Sequence, residues 1–234
     1  MKPRVIAVVQ ARMGSQRFPG KMMEFLGQYR ILEWVLRRAS RAAMLDRVVL
    51  ATSSADDNRV LRELADDLSI ATVCGSEDDV LSRFVLAAQE HGADHIVRVC
   101  ADNPFVAPEE IDRLTRFYLD KNPDYAFNHI PKMGNMYPDG LGAEILSAAL
   151  VRRVAASTTE ASHREHVTAY LWDHLQEFRI ETIPAPAEIA FPGVKLDVDT
   201  REDLERLRCT VEGLRINSTA VDIVNAYRAV FPRV

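Results

Sequence analysis

A chain of 234 residues, 47% hydrophobic and 27% charged, has enough apolar surface for a sizeable core and is not disordered. Its net charge of −5 argues against general nucleic-acid binding, which needs a basic face. Only five apolar residues, Val5 to Val9, follow the N-terminal Met1-Lys2-Pro3-Arg4, too few for a secretory core. No stretch reaches membrane-spanning length, so a cytoplasmic chain without a membrane partner is expected.

In chain order, the run 5–9 is β-branched and apolar except at Ala7, the pattern of a strand buried on both faces. It opens into a loop bearing Arg12, Arg17 and Lys21 with Gly14, Pro19 and Gly20. Such a loop can set backbone N–H groups and cations against a polyphosphate, and a solvated basic loop is the plainer alternative. A P-loop is excluded: five residues separate Gly14 from Gly20, and Met22 stands where a magnesium-binding hydroxyl belongs. Further strands are predicted at 47–51, 70–73 and 95–99, and helices at 31–43, 56–67 and 78–91. Asp56 and Asp78 sit near helix starts and Gly92 at a helix end. This alternation predicts an α/β fold with a mostly parallel sheet covered on both faces, binding its ligand at the carboxyl ends of strands. In the second half, strands are predicted at 125–129, 178–183 and 195–198, and helices at 144–156, 162–175, 203–212 and 219–230. A loop or hairpin is predicted at 132–142. One domain is expected, with a nucleotide-binding half over about 1–125 and an acceptor-binding and closing half over about 126–234. Cys74, Cys100 and Cys209 form no C-x-x-C pair and read as small buried hydrophobes in a reducing compartment.

Two aspartates carry the chemistry. Asp102 follows the strand at 95–99, and Asp199 follows the strand at 195–198, so both project from strand ends beside the Arg12 loop. Carboxylates facing phosphates need a cation between them, and Mg²⁺ held by one or two carboxylates plus substrate oxygens supplies it. The alternative for Asp199 and Thr200 is a helix cap. His163 and His166 lack the H-E-x-x-H zinc pattern. Arg164 or His166 touching an anionic ligand is the better reading, alongside a plain surface helix. Asp139 fits a tight turn, and Glu144 either binds a ligand hydroxyl or stabilises the following helix.

Taken together, these segments resemble the cytidylyltransferase family that includes the spore coat polysaccharide biosynthesis proteins, and more distantly the synthetases of CMP-activated keto-deoxy-octulosonate and sialic-type acids. The resemblance is carried by Gln10–Lys21, Gly75–Arg83, Arg98–Pro104, Pro138–Glu144, Arg164–Thr168 and Leu196–Thr200. Cys74 stands where many relatives would have an arginine. The resemblance implies a three-layer Rossmann-like nucleotidyltransferase fold, CTP as substrate, Mg²⁺ as cofactor, pyrophosphate as product and a homodimer. It implies a nucleotide site of Gln10, Ala11, Arg12, Gly14, Ser15, Lys21, Arg83 and Asp102, with Arg12 and Lys21 catalytic and Asp102 and Asp199 on the metal. Acceptor contacts are expected from Asp139, Glu144, Arg164 and His166. The competing readings are a glycosyltransferase, whose Asp-x-Asp motif would be Asp197-Val198-Asp199, and an inactive nucleotide-binding regulator.

Overall fold

The apolar run at the start of the chain becomes the middle of the sheet. In the computed structural model, which describes residues 2–15 and 17–233, Met1, Gln16 and Val234 lie outside the described residues. Strand β1 (Val5–Gln10) pairs in parallel with β4 (Arg47–Ser53) on one side and β6 (His95–Cys100) on the other. Val5 to Val9 are fully buried, as a strand covered on both faces requires. Beyond β4 lies β5 (Ala71–Gly75); beyond β6 lie β8 (Glu144–Ser147), β7 (Tyr125–Phe127) and β9 (Ile180–Thr182). The seven strands run in the order β5-β4-β1-β6-β8-β7-β9, and β8 alone is antiparallel to its neighbours. A separate hairpin of β2 (Phe25–Leu26) and β3 (Tyr29–Arg30) turns at Gly27, whose φ of 61° suits glycine.

Helices cover both faces. On one side pack α1 (Ile31–Ala39), α2 (Arg59–Asp67), α4 (Pro108–Lys121), α8 (Arg201–Thr210) and α9 (Ala220–Val230). On the other pack α3 (Val80–Glu90), α5 (Ala148–Ser157) and α7 (Ala169–Asp173), with the short α6 (Ala161–Glu165) against α3. The chain leaves β1 for β4 and β5 on one flank, then returns to place β6 on the other. The boundary between β1 and β6 is therefore the topological switch point, where α/β sheets open a ligand crevice.

Four expectations need correction, and one helix was not expected. Residues 144–147 are a strand rather than the first turn of a helix, because Glu144 pairs in register with Arg98; Ser147 then caps α5 by accepting from Leu150 N at 3.0 Å. The single helix expected at 162–175 is two, broken at the extended His166. The segment 195–198 forms only an isolated bridge from Lys195 to Asp139, yet it runs extended, with Val198 N bonded to Asp102 O at 2.9 Å. Helix α4, not anticipated, has the signals of one: Pro108 in the first turn, Glu109 and Glu110 beside it, and Asn122 at a φ of 51° after its end. Cys74 and Cys209 are exposed, so neither is a core residue. No helix is long and apolar enough to cross a membrane among the described residues.

Candidate active site

At the switch point, Gln10 and Cys100 stand opposite each other at the ends of β1 and β6. A cleft of about 490 Å³ opens there, walled on one side by the loop after β1 and floored by Arg98 and Cys100. Backbone geometry shapes the loop. Ser15 N and Gly20 N both bond to Met13 O, at 2.9 and 3.0 Å, and Met13 N bonds to Asn58 Oδ1 at 2.8 Å. Asn58 is itself held by Glu77 Oε2 at 3.0 Å, so the Gly75–Arg83 segment buttresses the loop from behind.

Lys21 is the hub. Its side chain is nearly buried, and Nζ donates to Val198 O at 2.7 Å, to Asp102 Oδ2 at 3.0 Å and to Asp199 Oδ1 at 3.4 Å. Arg17 adds a second cation on Asp199 Oδ1 at 2.8 Å. Two carboxylates, one just past the end of β6 and one past the extended segment 195–198, thus surround one position already taken by a positive charge. Two more, Asp139 and Asp197, lie within electrostatic reach. Burial first and then Asp197 push the Asp139 carboxyl up to about 6. Burial, with Asp102 and Asp199 adding to it, raises Asp197 against the pull of Lys195. Burial is the main cause of both shifts, and the neighbouring carboxylates add to it.

Local structure decides which carboxylates are free. Thr200 caps α8 in a capping box with Asp203, whose carboxylate also accepts from Asp199 N at 3.0 Å. The cap is therefore made by Thr200, and the Asp199 side chain is left to face the cleft. Arg12, at the rim, donates to Glu165 Oε1 at 2.5 Å. A second cavity of about 410 Å³, lined by Asp78, Asp79 and Arg164, shares Arg12 and Glu165 with the first. The Arg12–Glu165 pair is the partition between the two.

The structure brings Gln10, Ala11, Arg12, Ser15, Lys21, Asp102, His166 and Asp199 to the cleft lining. Gly14 is exposed rather than part of the lining. Arg164 faces the second cavity, paired with Asp79, the residue that caps α3. Asp139 belongs to the aspartate corner. Glu144 is 1% exposed with its carboxylate engaged, so it does not offer an oxygen to a ligand, and the strand that buries it is the reason. Arg83 is wholly buried on the inner face of α3, packed so closely against β5 that a Cβ on Gly75 would stand 2.8 Å from its Cγ. Its three guanidinium nitrogens have no hydrogen-bond partner among the described residues, and burial lowers its pKa. Arg98, Cys100 and Glu165 line the cleft without having been assigned a role there. Arg98 left a signal: a charge inside a β-branched run must find a buried partner.

A mostly parallel, three-layer sheet with a cationic loop and converging aspartates at its switch point is the architecture of a nucleotidyltransferase. The cytidylyltransferase profile matches residues 6–217, and the chain belongs to that family of enzymes. It is 30% identical over 227 residues to the spore coat polysaccharide biosynthesis protein SpsF of Bacillus subtilis, covering 94% of this chain and 92% of that one. It is 29% identical over 227 residues to a 3-deoxy-manno-octulosonate cytidylyltransferase of an Anaeromyxobacter species, covering 91% and 86%. Among solved structures, a cytidylyltransferase from Leptospira borgpetersenii superposes with a TM-score of 0.90 at 25% identity, covering 98% of this chain and 95% of that one.

Proposed function

We propose that this enzyme transfers CMP from CTP to a sugar, sugar acid or related phosphorylated acceptor for surface polysaccharide, releasing pyrophosphate. The observation that carries the proposal is the convergence of Asp102 and Asp199 on one cationic position beside the Arg12–Lys21 loop. The names of the two sequence relatives support the polysaccharide setting and a sugar-acid type of acceptor.

The chemistry asks for positioning and charge neutralisation rather than a covalent intermediate. An acceptor oxygen attacks the α-phosphorus, the bond to the bridging oxygen breaks, and pyrophosphate leaves with the electron pair. Arg12 and Arg17 lie at the rim, where negative charge accumulates on the leaving group. Lys21, fixed by Val198 O, sets the distance between the two aspartates and opposes charge at the α-phosphate. Asp102 and Asp199 would hold Mg²⁺: both are hard oxygen donors that line the cleft and approach each other around Lys21 Nζ, and substrate oxygens would complete the shell. When bound, the ion polarises the phosphate. The same proposal includes a homodimer, for which the exposed Met133 and Met136 are available surface.

The test is pyrophosphate release with each nucleoside triphosphate, Mg²⁺ and a panel of sugars, sugar acids and sugar phosphates. Release is expected with CTP, lost in Asp102→Asn and Asp199→Asn, and slowed by on the order of 10²–10³ in Lys21→Met. Release with another nucleotide in preference to CTP, or full activity in Asp102→Asn, overturns the proposal.

A further inference from the structure

Arg98 and Glu144 are directly opposite each other in the β6–β8 register, so both side chains leave the same face of the sheet. Arg98 Nη1 donates to Glu144 Oε2. The same carboxylate accepts from Tyr125 Oη at 2.5 Å and Thr168 Oγ1 at 2.9 Å, with His129 Nε2 at 3.8 Å. Glu144 is thus saturated and cannot leave. Its partner is not saturated. A guanidinium carries five N–H donors, and Glu144 is the one hydrogen-bond acceptor that the described residues give Arg98. Arg98 Nε is buried without a partner, and so is Nδ1 of nearby His129. The Arg98 side chain keeps 18% of its surface open, on the floor of the cleft.

Position separates this cation from the others. Arg12 and Arg17 are the open cations of the lining, and Lys21 is pinned between Asp102 and Asp199. Arg98 lies two residues back along β6 from Cys100, roughly 7 Å by the rise of a strand. Arg12, Arg17 and Lys21 serve the phosphates of the nucleotide, which leaves Arg98, a lining cation further back along β6, for the other reactant. Its support also differs in kind. Glu165 and Asp199, which hold the rim arginines, are themselves part of the cleft lining, whereas Glu144 is buried beneath it. Held through Nη1 and with Nε buried, the guanidinium has Nη2 and the second Nη1 N–H left to offer, an end-on fork that matches a carboxylate or phosphate with two parallel bonds.

We propose that Arg98 is an acceptor-recognition residue, its guanidinium gripping an oxyanion of the acceptor while Glu144, from below, acts as the positioning residue. This rests on the nucleotide reading above and extends it to the group that tells one acceptor from another. A site built to bond an oxyanion rejects an isosteric neutral ligand strongly, because the fork is then left unpaired.

The experiment has two stages on the full chain. First, a non-hydrolysable CTP analogue with Mg²⁺ is titrated by calorimetry into the wild type and Arg98→Lys; lack of binding to the wild type overturns the nucleotide reading itself. Second, the analogue-saturated proteins are titrated with 3-deoxy-manno-octulosonate, glucose 1-phosphate and glucose, which separate carboxylate, phosphate and neutral acceptors. At least one anionic probe is expected to bind the wild type, with glucose at least tenfold weaker. Arg98→Lys, which keeps the charge but loses the fork, is expected to weaken that probe at least tenfold while the analogue's affinity stays within twofold. With an acceptor that turns over, the loss appears in the acceptor KM and not in the CTP KM. Equal binding of the anionic probe by both proteins, glucose binding as tightly as the anions, no binding by either anion, or a matching loss of analogue affinity overturns the assignment. A thermal melt of Arg98→Lys alongside distinguishes this from a folding defect, and Arg98→Gln provides a second, uncharged replacement should the lysine variant prove unstable.

Discussion

Glu144 sits at the base of the site with no solvent of its own, and its charge state is set by its neighbours. Burial favours the protonated form, but Arg98 and His129 outweigh it and hold the carboxyl down to about 2, from an ordinary value of 4.5. A carboxyl depressed in the folded state contributes stability that is present above about pH 4.5 and disappears as pH falls towards 2. Glu144→Gln leaves Arg98 with a buried, uncompensated charge and is expected to cost about 3 kcal/mol at pH 7. The gap to wild type should narrow below about pH 4.5 and close near pH 2. Urea unfolding across this range measures it; a gap independent of pH would show that the residue acts through packing alone. The charges nearest the surface behave differently. Arg12 and Glu165 are both partly open, so their pair is readily exchanged for a phosphate.

At the level of elements, the site depends on how a helix begins. Thr200 and Thr219 both make capping boxes, at α8 and α9 respectively, and losing either hydroxyl removes one satisfied backbone donor. Thr200→Ala and Thr219→Ala are each expected to cost about 1 kcal/mol of stability. Only the first should weaken CTP and Mg²⁺ binding, because Asp203 of that box also holds Asp199 N. Calorimetric titration of the two variants, side by side, separates a structural cap from one that aims a ligand. Equal effects on binding would place Asp199 outside the cation site. Strand β8 makes the same point. A helical assignment for Glu144 follows from its apolar neighbours, yet pairing with β6 and β7 on both sides makes residues 144–147 extended.

At the scale of the molecule, the cleft is assembled from both halves of the chain. Gln10 to Lys21 and Arg98 to Asp102 come from the first, His166 and Asp199 from the second. A ligand that bridges them should stabilise the whole fold. At a concentration about 100 times its Kd, CTP with Mg²⁺ adds roughly 2.7 kcal/mol, which for a domain of this size is a rise in Tm of about 5–10 °C. Differential scanning fluorimetry is expected to show that rise with CTP and a much smaller one with ATP. Equal shifts with both would count against a cytosine-selective site.

Much was legible in the sequence, and for identifiable reasons. Val5–Gln10, Arg47–Ser53 and His95–Cys100 are long apolar runs, and buried parallel strands follow from that pattern with little help from context. The Arg12–Lys21 loop and Asp102, each just past the end of a strand, were likewise local facts; Asp199 also lines the cleft, but from an extended segment rather than from the strand expected at 195–198. Three things were not local. Arg98 looks from its neighbours like a misplaced charge, and only β8, arriving from 46 residues further along, supplies Glu144 beneath it. Arg83 ends the Gly75–Arg83 motif but is sealed on the inner face of α3, away from the cleft. Lys21, which as sequence is one more cation for phosphate, proves to be the post around which two aspartates gather, 81 and 178 residues away. Hydrophobic periodicity acts over a few residues, so the sequence by itself determined the parallel α/β sheet and the cationic loop, and through its family resemblance the class of reaction. Which carboxylate meets which cation depends on the order in which strands lie side by side, a choice made by packing the whole core, and that was decided by the tertiary structure alone.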